Sequence, residues 1–500
     1  MRDIKDVLNL LKKNHNISNY NEKLLLKAWE FACVAHQGQK RLSGEEYITH
    51  PLETAYTLTK WKMNVDTVIA GLLHDVLEEN AFTVDDIKSE FGSDIAQLVE
   101  GDTKIGTIKY SGAERYAENL RKMFIAMSKD IRVIIIRFAD RLHNLKTLKY
   151  HKNQEKRYRI ALESLEIYAP IAGRLGMYKI KEELEDLSFK YVYPVEYKWT
   201  IKQFKSQIGE KTLSLNQTKK NIIKILKENK VQFHSIYGRQ KRLYSLYLKL
   251  LKKDKDINKI YDLIALRIIV KDIETCYSTL GIIHNHYQPL NGRVKDYISQ
   301  KKPNGYQSLH TTVFNETHNP IEIQIRTAEM DNMAEFGIAS HWSYEDKTYK
   351  NLENQNLDWI KDLVKWQGKI KNNRDYIKSI KLNTDIFKSR IFIFTPKNDV
   401  IDLPEGSTPI DFAYHIHTDI GNKCVSVKIN NKIAKLDAEL KNGDVVEIIT
   451  DKNRIYPNPD WLNFVKTNTA KEKIKNSSLK EVNTTTKRII TRLRRWKRRK

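Results

Sequence analysis

IEIQIRT, residues 321–327, sets Ile321, Ile323 and Ile325 against Glu322, Gln324 and Arg326 with a strict period of two. That alternation predicts a β-strand with the isoleucines on one face and the polar side chains on the other. Two further β-branched runs, LIALRIIV (263–270) and TTVF (311–314), have strand length, and Asp262 directly precedes the first. Acids on neighbouring strands, here Asp262 and Glu322, are a common way to hold Mg2+ against nucleotide phosphates. Between them lies GRVKDYISQKKPNGYQSLHTTV (292–313). It offers Arg293, Lys295, Lys301 and Lys302 for phosphate, a Pro303-Asn304-Gly305 turn, and Tyr306 for base stacking. The same pattern also fits an edge strand with solvated charges beside a polar loop.

Towards the N-terminus the period changes. Residues up to about 190 repeat apolar positions every three or four residues, which predicts consecutive helices. VDTVIAGLLHDVLEEN (65–80) reads as one helix with Val68, Ile69, Leu72, Leu73, Val76 and Leu77 in a stripe. His74 and Glu78 then lie one turn apart, as do Asp75 and Glu79, on the other side. In IRVIIIRFADRLHNLKTL (131–148), Asp140, Asn144 and Thr147 align in the same way. With His36 and His50, these nitrogen and carboxylate groups suit a first-row divalent metal. Each residue alone fits a surface or capped position. Burying an adjacent His-Asp pair and a second Asp among apolar helices, however, costs roughly several kcal/mol unless a metal or partner compensates.

Around 216–230 a charged helical stretch leads into the strands, and a charged helical connector with Trp359, Leu363 and Trp366 on one face follows them. RIFIFTPKNDVIDLPEG and NGDVVEIIT then alternate short strands with turns, a compact β-rich module. Five hundred residues exceed one core, so three or more domains are expected. No apolar run reaches the roughly 18 residues of a membrane span, and Met1–Lys13 lacks the apolar stretch of a secretory signal. Cys33, Cys276 and Cys424 are too far apart for a C-x-x-C zinc site, and a reducing cytoplasmic compartment fits them. A lysine-rich compositional background accounts for part of the net charge of +25. It does not account for KRIITRLRRWKRRK (487–500), whose nine cations and no acid favour a polyanion such as RNA.

Three sets of motifs carry a resemblance. HQGQKRLSGEEYITHP after Ala35, LLHDVLEE and FADRLHNLKTL resemble the hydrolase domain of long RelA/SpoT homologues, an HD-type metal-dependent phosphohydrolase. The resemblance implies a manganese ion on His50, His74, Asp75 and Asp140, with Glu78 and Glu79 orienting water. Asn144 and Thr147 would hold nucleotide, and Arg41 would lie over the guanine. Glu79 stands where the family usually has Asp, and that extra methylene shifts its carboxylate. The strand-and-loop string resembles the family's synthetase domain, a relative of the nucleotidyltransferase fold. It implies pyrophosphate transfer from ATP to the 3′-hydroxyl of GDP or GTP, with Asp262 on Mg2+ and Glu322 either on the metal or acting as base. Tyr306 would stack on the acceptor guanine near Asn304, His310 and Gln324, while Arg239, Lys241, Ser245 and Lys249 grip ATP. Arg293-Val294-Lys295-Asp296 matches the R-x-K-D signature of bifunctional members. RIFIFTPKNDVIDLPEGSTPIDFAYHIHTDIGNKC resembles a TGS domain of β-grasp type, in which His417 matches a histidine that contacts uncharged tRNA in ribosome-coupled relatives. Ser426-Val427 departs from the family's Gly-Ala.

The expected chain is multidomain. It has an all-α hydrolase domain (1–195), an α+β synthetase domain (196–345), a helical connector (346–388), a TGS domain (389–452), and the start of a helical region with a basic tail (453–500). The family's zinc-finger and ACT domains are expected to be absent. The expected activity is bifunctional, making and hydrolysing (p)ppGpp, with ATP, GDP/GTP, tRNA and the ribosome as partners and no membrane. The alternatives are a synthetase with a weakened hydrolase site and a non-catalytic RNA-binding factor.

Overall fold

The computed structural model describes residues 2–15, 17–78, 82–106, 113–260, 262–302, 305–343, 360, 364, 390–396, 399–441 and 443–477. The expected connector, apart from residues 360 and 364, and the basic run 487–500 lie outside them, as do Glu79 and Asn304. The chain divides into two units, Met1–Tyr376 and Ile377–Lys500.

The first unit opens with helices α1 (Ile4–Asn14), α2 (Asn19–Ala35), α3 (Thr49–Lys60), α4 (Val65–Leu72), α5 (Val84–Phe91), α6 (Ser93–Gly106), α7 (Ala113–Lys129) and α8 (Arg132–Thr147). It continues through α9 (Gln154–Glu163), α10 (Ala169–Arg174), α11 (Tyr178–Val192) and α12 (Pro194–Glu228). The β-branched run of α8 has modest helix propensity, but Val133, Ile134, Ile135, Ile136, Phe138 and Leu142 are all buried. Tertiary packing therefore decides its conformation.

The single helix expected over 65–80 is corrected: α4 ends at Leu72. In a continued helix the Gly71 carbonyl would accept from the Asp75 N–H. The His74 ring takes that carbonyl instead, Nδ1 to O at 2.7 Å, and the chain leaves through the three-residue turns Val76 N–H to Leu73 O and Glu78 N–H to Asp75 O.

The second half of this unit comprises β1 (Phe233–Gln240), α13 (Leu243–Leu251), β2 (Ile264–Val270), α14 (Ile273–His286), β3 (Lys295–Asp296), β4 (Leu309–Phe314), β5 (Pro320–Thr327) and α15 (Ala328–Phe336). Its sheet runs β1-β2-β5-β4-β3, with β2 and β5 parallel and Ala265 opposite Glu322. The edge-strand reading of IEIQIRT is thereby overturned, because β5 is central and Gln324 and Arg326 are buried. Its isoleucines share a core with Leu215, Ile222 and Leu226 of α12 and Cys276 and Ile283 of α14.

The second unit holds the hairpin β6 (Arg390–Phe394)–β7 (Val400–Pro404), helices α16 (Pro409–Ile416) and α17 (Thr418–Lys423), and strands β8 (Cys424–Ile429), β9 (Lys432–Ala434) and β10 (Val446–Thr450) in the order β10-β8-β9. Buried Asp411 caps α16 through Thr408 and also accepts from Thr467 N–H (2.7 Å), Thr467 Oγ1 (2.8 Å) and Lys466 N–H (3.0 Å). That carboxylate pins residues 459–477 to the module, where Trp461, Val465 and Ile474 share a core with Tyr414.

The two halves of the first unit meet where Gly337 follows α15. Its φ of +54° suits glycine, and a Cβ there would lie 2.3 Å from the Leu175 carbonyl oxygen. Gly337→Ala is therefore expected to cost about 2 kcal/mol and to lower the denaturant midpoint of the first unit. An unchanged midpoint contradicts this packing.

Candidate active sites

The first site lies among α3, α4 and α8. Ligand atoms of His50, His74 and Asp140 all fall within 4.8 Å of one another, and all three residues are buried. Asp75 joins them, its Oδ2 lying 3.5 Å from His50 Nε2 and 3.3 Å from His74 Nε2. His50 Nε2 is 3.2 Å from Asp140 Oδ1. The four expected ligands thus converge. His36 does not join the three-residue cluster; its ring packs on Tyr47, centroids 4.8 Å apart.

Buried carboxylates need compensation, and of three neighbours that the sequence reading passed over two supply part of it, while the third meets His50. Tyr47 donates its hydroxyl to Asp75 Oδ2 at 3.0 Å. Arg137 pairs with Asp140 Oδ2 at 3.3 Å and with Asp102 at 3.1 Å. His143 Nδ1 lies 2.6 Å from His50 Nδ1. Arg137 and His143 stand three residues either side of Asp140, so helical spacing was the available signal. Burial opposes ionisation of Asp140, but neighbouring His50 and Arg137 outweigh it and hold the carboxyl far below its usual range. Burial and the adjacent Asp75 push the Glu78 carboxyl up to about 7, although the residue stands exposed at the rim. His74 Nε2 is buried with no hydrogen-bond partner. An unpartnered imidazole nitrogen facing two carboxylates fits a divalent cation.

Beside this cluster Arg41 donates to Asn144 Oδ1 and to Thr147 Oγ1, each at 3.2 Å. Asn144 in turn donates to Asp140 Oδ1 at 2.5 Å. The residues expected to hold nucleotide are therefore joined directly to the cluster.

The second site borders a cavity of about 1000 Å³ lined by β1, β2 and β5 residues, Lys302, Tyr306 and His310, and by α11 and α12. A relay orders its floor. Arg326 donates to the Tyr306 hydroxyl (2.9 Å), which donates to His310 Nε2 (2.7 Å), and His310 Nδ1 faces Glu322 Oε1 at 3.4 Å. Gln324 donates to the same Glu322 oxygen at 2.8 Å. Burial works to raise the Glu322 carboxyl, yet the bonds from His310 and Gln324 prevail and hold it below its usual value.

Asp262 is opposed by burial but held down to about 2 by Lys241 and Lys249, whose ammonium groups sit 2.7 and 2.6 Å from its Oδ2. Its Oδ1 is buried and unpartnered, which leaves one coordinating oxygen for a cation. Ser245 lies one turn before Lys249 on α13, and Lys295 is exposed on β3.

Arg239, expected to grip ATP, lines the cavity and pairs with Glu182 of α11. Tyr178 of the same helix meets the Tyr306 ring edge-on, centroids 6.1 Å apart. These α11 partners come from the helical half and carry no sequence signal tying them to the strands. In the second unit His417 is exposed, and its Nδ1 accepts from Asp419 N–H at 3.2 Å.

Three domains match known families: an HD domain over residues 28–178, the region found in RelA/SpoT proteins over 238–349, and a TGS domain over 391–450. The chain thus combines these domains in one polypeptide, and the resemblance to long RelA/SpoT homologues is borne out. It is 43% identical to a GTP pyrophosphokinase of Myxococcus xanthus over 90% of this chain and 60% of that one. It is 46% identical to a guanosine-3′,5′-bis(diphosphate) 3′-pyrophosphohydrolase of Aquifex aeolicus over 90% of this chain and 64% of that one. It is 42% identical to the bifunctional (p)ppGpp synthase/hydrolase SpoT of Escherichia coli K12 over 91% of this chain and 64% of that one. The chain therefore spans less than two thirds of the length of these relatives. No helix among the described residues is long and apolar enough to cross a membrane.

Lys302 sits 4.4 Å from the Tyr297 ring and 5.0 Å from the Tyr306 ring, and burial with nearby Lys295 pushes its ammonium down from 10.5 to about 8. The charged form is therefore lost as pH rises through 8. Affinity for GDP, used as an anionic probe, is expected to fall between pH 7 and 9 in the parent and to stay flatter in Lys302→Arg, whose guanidinium remains charged. Parallel pH profiles contradict a phosphate role for Lys302.

Proposed function

We propose that the chain is a bifunctional alarmone enzyme, transferring pyrophosphate from ATP to the 3′-hydroxyl of GDP or GTP and hydrolysing the (p)ppGpp product at a separate site. The observation that carries this reading is that one folded unit holds both a buried His50/His74/Asp140 cluster and a distinct cavity walled by Lys302, Tyr306, His310 and Gln324.

In the hydrolase site His50, His74, Asp75 and Asp140 would hold a divalent ion, assigned as Mn2+. Such an ion would supply Lewis acidity and bring the pKa of water close to neutrality. Arg41, Asn144 and Thr147 position the nucleotide, and Glu78, with Glu79, orients the attacking water. In the synthetase site Asp262 would hold Mg2+, with Glu322 on the same ion or acting as base on the 3′-hydroxyl, and the ion would neutralise phosphate charge. Tyr306 stacks on the acceptor guanine beside Asn304, with Gln324 and His310 fixing its edge. Lys241, Ser245, Lys249 and Arg239 take the donor phosphates, and Lys295 and Lys302 those of the acceptor. Such transfers depend on alignment and charge stabilisation more than on covalent chemistry. In the second unit, His417 and the basic run 487–500 contact uncharged tRNA on the ribosome, and the enzyme acts in the cytoplasm.

The separating experiment is Asp75→Ala. Metal-dependent release of pyrophosphate from ppGpp is expected to vanish while synthesis from ATP and GDP stays measurable. Hydrolysis at the parental rate contradicts the metal assignment. A parent that synthesises without hydrolysing favours the reading of a weakened hydrolase.

The Glu182–Arg239 pair ties the donor-phosphate arm to a helix of the hydrolase half. The carboxylate takes up Arg239 Nη2 and offsets the guanidinium charge, so it competes with the ATP phosphates for that cation. Glu182→Gln is expected to lower KM for ATP by about fivefold or more with ppGpp hydrolysis unchanged. An unaltered KM removes this pair from control.

A further inference from the structure

Two imidazoles face the buried carboxylates through Nε2, and a metal-binding nitrogen must be unprotonated. For His74 the device is plain, because its Nδ1 lies 2.7 Å from the Gly71 carbonyl. A carbonyl only accepts, so His74 Nδ1 keeps its hydrogen and Nε2 is the nitrogen left to meet a cation.

For His50 the partner is another imidazole, and either ring could in principle donate. His50 Nδ1 and His143 Nδ1 are 2.6 Å apart, with ring planes within 19° of each other. The ambiguity is resolved from the far side. Arg41 Nη1 lies 3.4 Å from the same His143 Nδ1, and a guanidinium can only donate. His143 Nδ1 is thereby the acceptor, and His50 Nδ1 carries the hydrogen.

We propose that His143 is the positioning residue that fixes the His50 proton on Nδ1 and so presents His50 Nε2 to a divalent cation. This inference rests on the metal-site reading above and concerns a residue to which that reading gives no role. The alternative is built into the same site: without an acceptor at 143, Asp140 Oδ1 at 3.2 Å and Asp75 Oδ2 at 3.5 Å draw the His50 proton to Nε2. Cation binding must then displace that proton. Groups that orient a ligating histidine typically change metal affinity by about 10–100-fold when removed.

The test is titration calorimetry of metal-free protein with Mn2+ alone, on the full chain, with the melting temperature of the metal-free form measured beside it. His143→Leu keeps the bulk and removes the acceptor. His143→Asn places a side-chain oxygen near the position of Nδ1 and restores it. We expect His143→Leu to bind Mn2+ about 10–100-fold more weakly and His143→Asn to stay within about threefold of the parent, with metal-free melting temperatures alike. Parental affinity in His143→Leu, or an equal loss in His143→Asn, overturns the positioning role while leaving the metal site standing. A parent that binds no more Mn2+ than Asp75→Ala overturns the metal site and this role together.

Discussion

A carboxylate only 5% exposed, Asp140 on a helix otherwise filled with isoleucine and phenylalanine, is the constraint on which the helical half depends. Left alone, its charge would cost far more than the packing around it returns. The surrounding chain is arranged to prevent that. Arg137 meets one oxygen, while Asn144 and His50 meet the other. His74 and Asp75 are brought up by ending α4 early, at the Gly71 carbonyl that the His74 ring captures. Four ionisable groups thus share one pocket in a low-dielectric interior, where an additional cation would complete the charge balance.

The second half shows the same logic with a different fold. Polar residues of β5 face a cavity rather than solvent, and each is tied to the next, from Arg326 through Tyr306 and His310 to Glu322. Asp262 spends one oxygen on two lysines and keeps the other free. What joins the halves is α11. Lys179 pairs with Glu335 of α15, Glu182 with Arg239 of β1, and Tyr178 borders Tyr306. A helix belonging to the first half therefore forms part of the wall of the second site.

Much of this was legible in the sequence because periodicity reports burial. The period of two in IEIQIRT placed Glu322, Gln324 and Arg326 on one face. The 3.6-residue pattern likewise aligned Asp140, Asn144 and Thr147; the structure joins Asn144 and Thr147 through Arg41 and Asn144 to Asp140 directly. The end of α4 was not legible, because a side chain competing for a backbone carbonyl leaves no trace in apolar spacing. β1 was missed because FHSIYGRQ alternates weakly and contains a glycine. Glu182 was beyond reach, since it lies 57 residues from Arg239 and only topology brings them together. His143 was within reach by helical spacing, but its meaning depends on Arg41, 102 residues away.

The central claim is that buried His50, His74 and Asp140, with half-buried Asp75, form a cation site that uses both imidazole Nε2 atoms. Anomalous diffraction at the manganese edge, from crystals of this chain grown with Mn2+, tests it most directly. The account predicts one strong peak bonded to His50 Nε2, His74 Nε2 and the two carboxylates. A map with no peak there, or with manganese bound through the Nδ1 atoms, would contradict it.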